Sequence, residues 1–159
     1  MNHQLGSRGN ATKAPVTTRP RWDDPWSASP THRAGPEYAG VAMPDLTIAS
    51  ALHQSGLVLI LDGEIDMATE AHFQDATTGA LTTQPFGRVV LDCTDLRFID
   101  SSGLRVLIRA HKFAKEQRAL LVIAAAPPRV LQTLRITSLD TRIPVFGSVS
   151  QALAAPQTA

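Results

Sequence analysis

RVVLDCTDLRFIDSSGLRVL, residues 88–107, passes from an apolar run through a polar stretch into the start of a helix. The run RVVLDC is short and apolar without alternation, the pattern of a strand buried on both faces. From Ser101 to about residue 117 the apolar residues recur at helical spacing. At about 100° per residue, Gly103, Val106, Leu107, Ala110, Phe113 and Ala114 fall opposite Ser101 and form an unbroken core face. Gly103 puts a small residue where that helix nears a sheet. The side that bears Ser101 carries Leu104, Arg105, Ile108 and Lys112. Apolar groups beside two cations and a hydroxyl have the composition of a protein-docking surface. Scattered apolar residues on a solvated face are the plainer alternative.

Outward from this block the chain alternates. DLTIASAL and LVLILDGEID flank HQSG and read as an antiparallel hairpin closed at Gly56. TEAHFQDATTGALTT has helical spacing, weakened over Thr77–Gly79. Beyond the central helix, ALLVIAA is a second buried strand, and Pro127 and Pro128 mark where a helix can begin. RVLQTLRIT continues that helix, PVFG is a short last strand, and SVSQALAA is one or two final helical turns. After the hairpin, strands and helices alternate, so right-handed crossovers give an α/β fold. Its sheet is mostly parallel with an antiparallel first strand.

Residues 1–43 differ in composition. Together with Pro44 they hold six of the chain's 11 prolines and no apolar periodicity, so they read as a disordered tail. RWDDPW, with Trp22 and Trp26, is its one candidate partner-docking motif. Met43 is an alternative start for a compact domain over residues 44–155. A formal net charge of +1 gives no electrostatic case for nucleic acid, and no apolar run approaches the ~20 residues that span a bilayer. The N-terminus lacks an apolar signal region, so a cytoplasmic location is expected. The lone Cys93 excludes an internal disulfide and reads as a small core residue.

Loops leaving the C-terminal ends of parallel strands share one edge of a sheet. Asp62, Glu64 and Asp66 are therefore expected near Asp95, Asp100 and Ser101. A serine nucleophile would need a base within reach. His111 lies about three turns along the helix, His53 and His72 lie in other elements, and DSSG is not the G-x-S-x-G elbow, so no enzyme is expected. Asp92 ends a strand as a phospho-aspartate acceptor would, but the next strand ends in ALLVIAAAPP without the lysine such a site needs. A regulatory phosphoserine requires neither, because the kinase supplies base, metal and ATP. Phosphate at a helix N-terminus meets free N–H groups and the positive end of the dipole, so the fold survives and the surface changes. Neither cofactor nor metal is expected.

LILDGEIDMAT, RVVLDCTDLRFIDSSGLRVL and LLVIAAAPPRVLQTLRIT together resemble the STAS domain of bacterial anti-sigma factor antagonists, over about Pro44–Ala154. The resemblance implies a mostly parallel sheet with helices packed on one side. It implies a phosphoprotein that regulates transcription by partner switching in stress responses. The unphosphorylated form captures a serine-kinase anti-sigma factor and frees the sigma factor. Phosphorylation releases the kinase, and a PP2C-like phosphatase resets the switch. Carried onto this chain, the acceptor is Ser101, with Ser102 as runner-up or as a helix-capping hydroxyl. Glu64, Asp66, Asp100, Ser102, Leu104, Arg105, Ile108 and Lys112 form the partner-binding set. The alternative is a STAS scaffold or transporter-associated binding subunit without phospho-switching. The proline-bearing tail departs from the family pattern and inherits no role.

Overall fold

The computed structural model describes residues 45–157. The expected tail, the RWDDPW motif and the alternative start at Met43 lie outside them. Strands β1 (Leu46–His53) and β2 (Gly56–Ile65) form the hairpin, with His53 opposite Gly56 across a two-residue turn. Then come α1 (Glu70–Thr83), β3 (Arg88–Ile99), α2 (Ser101–Glu116), β4 (Leu120–Ala124) and α3 (Pro128–Ile136). A 3-10 turn at Leu139–Thr141, β5 (Val145–Phe146) and α4 (Val149–Ala154) complete the described chain. The sheet order is β1-β2-β3-β4-β5, with β1 antiparallel to β2 and every later pair parallel. That matches the expected architecture.

Strand alternation sorts the branched residues into two cores. Leu59, Leu61, Val89, Leu91, Leu121 and Ile123 meet Phe73 and Leu81 of α1, Val106 and Leu107 of α2, and Val130 and Leu134 of α3. Val58, Val90, Val122 and Ala124 point the other way, onto Ala152 of α4. Helices α1 to α3 thus share one face, as the resemblance implies, and the short α4 differs by covering the opposite one. Cys93 lies in the larger core, where burial, reinforced by Asp92, pushes its thiol up to about 12, so it stays protonated.

Two local features go beyond the sequence reading. β3 does not end at Cys93 but runs on to Ile99, through residues that read as loop. Its pairing with β4 stops at Asp92–Ala124, while its pairing with β2 continues to Ile99 through two register shifts. The extension has an open side, which is why Thr94, Asp95, Arg97 and Phe98 are exposed there. The second feature is Arg88, 1% exposed at the start of β3. Its guanidinium donates to the carbonyls of Ala152 (2.9 Å), Leu153 and Ala155. A buried charge is tolerated only when hydrogen-bonded, and the C-terminal carbonyls of a helix carry the complementary partial charge. Arg88 therefore fastens α4 to the sheet.

Candidate functional site

The site is built where β2 and β3 deliver their C-terminal ends to α1 and α2. Asp100 is the N-cap of α2, with its backbone extended. Its Oδ1 accepts from the Ser102 N–H (2.8 Å), the Gly103 N–H (3.2 Å) and the Ser102 hydroxyl (2.7 Å). Ser102, expected as the capping hydroxyl, is instead a buried donor to the cap, and Asp100 itself closes the helix end. At 1% exposure Ser102 offers no surface to a partner or a kinase. Ser101, the first helical residue, is exposed. Two adjacent serines thus have opposite environments.

Gly103 sets how closely α2 lies on the sheet. A Cβ there would stand 2.6 Å from side-chain carbons of both Ile65 and Ile99, so only glycine allows this approach. The other end of the site is tied down by the Asp100 N–H, which donates to the Ile65 carbonyl at 3.0 Å. That bond joins the β2–α1 loop to the start of α2. Within the loop, Asp66 Oδ1 accepts from the N–H groups of Ala68 (2.8 Å) and Thr69 (3.1 Å). The buried Thr69 hydroxyl donates to the Glu64 carbonyl at 3.0 Å and accepts from the Asp66 N–H at 2.9 Å. The acidic loop is therefore a braced turn rather than a free strand end.

The expected acid cluster divides in two. Asp62 is the register partner of Asp95 across β2 and β3, and Arg97 bridges Asp62 (3.6 Å) and Asp45. By alternation along β2, Asp62 and Glu64 lie on the face opposite Leu61 and Ile65, away from α1 to α3. Glu64 is half-buried there opposite Phe98, while Asp66 and Asp100 belong to the end that carries Ser101. Along α2, Arg105, Ile108 (42% exposed) and Lys112 are exposed and Leu104 is half-buried, so the predicted face is open to solvent. Arg105 also lies 3.6 Å from Glu70 in the first turn of α1, a surface pair worth little on its own. Met67, 80% exposed in the acidic loop, is an apolar side chain open to solvent that was not read from the sequence. Its signal was an apolar side chain amid Asp66, Ala68 and Thr69. Among the described residues no acid, histidine or cysteine cluster could hold a metal ion.

Burial raises the Asp100 carboxyl, but hydrogen bonds from Ser102 and Gly103, with help from Arg105, outweigh it and hold the group below its usual value. A depressed carboxylate contributes stability in full above its unfolded value, near 4, and loses it as pH falls through the folded value. Asp100→Ala should therefore cost about 1 kcal/mol at neutral pH. The gap to the parent in urea unfolding should close as pH falls below about 4. An equal gap at all pH values would contradict the cap.

A sequential five-stranded sheet, one antiparallel pair at its start and a serine displayed where a strand hands over to a helix define a class. It is that of small STAS-type α/β domains. The chain belongs to the STAS domain family, whose model matches residues 47–152. It is 26% identical over 109 residues to the anti-sigma F factor antagonist of Paenibacillus polymyxa, covering 69% of this chain and 93% of that protein. The crystal structure of an anti-sigma factor antagonist from Mycobacterium paratuberculosis superposes with a TM-score of 0.65 at 24% identity, over 74% of this chain and 100% of that one. The Bacillus cell fate determinant SpoIIAA, solved in its phosphorylated form, superposes with a TM-score of 0.53 at 14% identity, over 67% and 96%. No described helix is long and apolar enough to cross a membrane.

Proposed function

We propose that this chain is an anti-sigma factor antagonist that works as a phosphorylation switch, with Ser101 as the acceptor. The observation that carries the reading is the contrast between the two serines. Ser101 is exposed at the first position of α2, whereas Ser102 is buried with its hydroxyl held by the cap. A relative named anti-sigma F factor antagonist and a fold neighbour solved in a phosphorylated form support it. In the unmodified state the face of Leu104, Arg105, Ile108 and Lys112, flanked by Asp66, docks a serine-kinase anti-sigma factor. The kinase's own ATP chemistry modifies Ser101, the added charge weakens docking, and a PP2C-like phosphatase restores the starting state.

The test is incubation with kinase-type anti-sigma factors from the source organism and ATP, with phosphate located by mass spectrometry. Phosphate on Ser101 is expected; stable complexes that leave Ser101 unmodified would instead identify a scaffold without switching. The docking face has its own test. Ile108→Glu should weaken capture of the anti-sigma factor at least ~10-fold, because a charge replaces an apolar anchor. The thermal midpoint should move by no more than ~2 °C, since exposed substitutions stay within about 0.5 kcal/mol. Unchanged affinity in a binding titration would remove Ile108 from the interface.

A further inference from the structure

At the end of α2 opposite Ser101, a pocket of about 900 Å³ opens between that helix, the start of β4 and the segment after the 3-10 turn. Its walls carry His111, Lys112, Lys115, Arg118 and Arg142, and no acidic side chain among the described residues lines it. None of these four Lys and Arg side chains makes an ion pair with a described residue. Glu116, on the same helix, is exposed and outside the pocket, and Asp140 faces a different cleft. The negative end of the α2 dipole accounts for a cation at Lys115. It does not account for Arg118 and Arg142, which come from the α2–β4 turn and the segment before β5. In a chain of net charge +1, this concentration of one sign is local.

We propose that this pocket binds a small phosphorylated organic molecule carrying at least two negative charges. Its volume is that of a small-molecule site. Ala119, Leu120 and Pro144 supply an apolar floor that a bare inorganic ion would leave unused. Guanidinium groups from two separate segments can each meet phosphate oxygens through paired N–H donors. His111 senses the charge of this pocket. Burial first, then Lys115 and Arg142, hold its imidazole below the usual value. A bound anion offsets the two cations, so occupancy raises that value.

The proposal is independent of Ser101 and is tested on the full chain with inorganic pyrophosphate, fructose 1,6-bisphosphate and sulfate at matched ionic strength. Calorimetry should show one site that prefers both phosphorylated probes over sulfate by at least ~10-fold, with the bisphosphate the tighter of the two. The His111 ring resonances should titrate at higher pH when the bisphosphate is present. Lys115→Ala combined with Arg142→Ala should weaken binding at least ~10-fold without lowering the thermal midpoint. Equal binding of all three anions would reduce the pocket to a diffuse charge effect and overturn the proposal. So would affinity for the bisphosphate that survives the double substitution, or a His111 titration that its presence does not move.

Discussion

Gly63→Ala should cost the domain about 4 kcal/mol, combining backbone strain with a steric clash that each contribute about 1–3 kcal/mol. Gly63 has φ +124°, a region that L side chains rarely adopt, and it sits on β2 opposite Leu46. A Cβ there would lie 2.0 Å from the Asp45 carbonyl oxygen and 2.8 Å from its carbon. Those are backbone atoms, so no rotamer change relieves the overlap. The same carbonyl accepts the Glu64 N–H at 2.6 Å, and moving it breaks that bond as well. The entry to β1 would separate from β2 just before the acidic loop that leads to the site. Thermal unfolding should show a midpoint at least ~10 °C lower. Gly79→Ala is the internal control. Gly79 lies within α1, and a Cβ added there would meet nothing within 4 Å. Alanine at that position should stabilise by about 0.5–1 kcal/mol through helix propensity. If Gly63→Ala left the midpoint unchanged or raised it as Gly79→Ala should, the tight crossing at Gly63 would be wrong.

The contrast between these glycines shows what the sequence could reveal. The succession of strands and helices, the hairpin and the central helix were legible because apolar periodicity is a local property, repeated over enough residues to be read. The separation of Ser101 from Ser102 was legible for the same reason, since a step of about 100° around a helix divides solvent from core. Which oxygen closes the helix was not, because Asp100, Ser101 and Ser102 are all competent caps and only the geometry selects Asp100. Arg88 was invisible for a different reason. Its partners are carbonyls 64 to 67 residues away, and a charged residue opening a strand looks solvated. The face chosen by α4 was hidden because six residues present too few apolar positions to define a stripe. The extension of β3 was hidden because a strand paired on one side only keeps the polar composition of a loop.

Ser101→Asp should weaken capture of the anti-sigma factor about a hundredfold, ~3 kcal/mol, while leaving the thermal midpoint within ~2 °C. The two halves of that expectation have separate causes. The fold is insensitive because Ser101 is exposed and makes no side-chain hydrogen bond with a described residue. A carboxylate at the first position of α2 also lies at the favourable end of its dipole. Binding is sensitive because the new charge appears beside Asp100 and Asp66, at the rim of the face holding Leu104 and Ile108. Docking must then desolvate an extra like charge inside the contact, which costs far more than the same charge in water. Phosphate carries nearly twice the charge of aspartate, so the modified protein should bind more weakly still. Ser101→Ala should keep the affinity of the unmodified protein and lose its response to kinase and ATP. The neighbouring position supplies the control that separates switching from general damage. Ser102→Asp forces a second carboxylate into a buried site against Asp100, so it should lower the thermal midpoint as well as binding. Wild-type affinity in Ser101→Asp, measured on a protein with an unchanged midpoint, would end the switch reading and leave the STAS domain as a constitutive docking module.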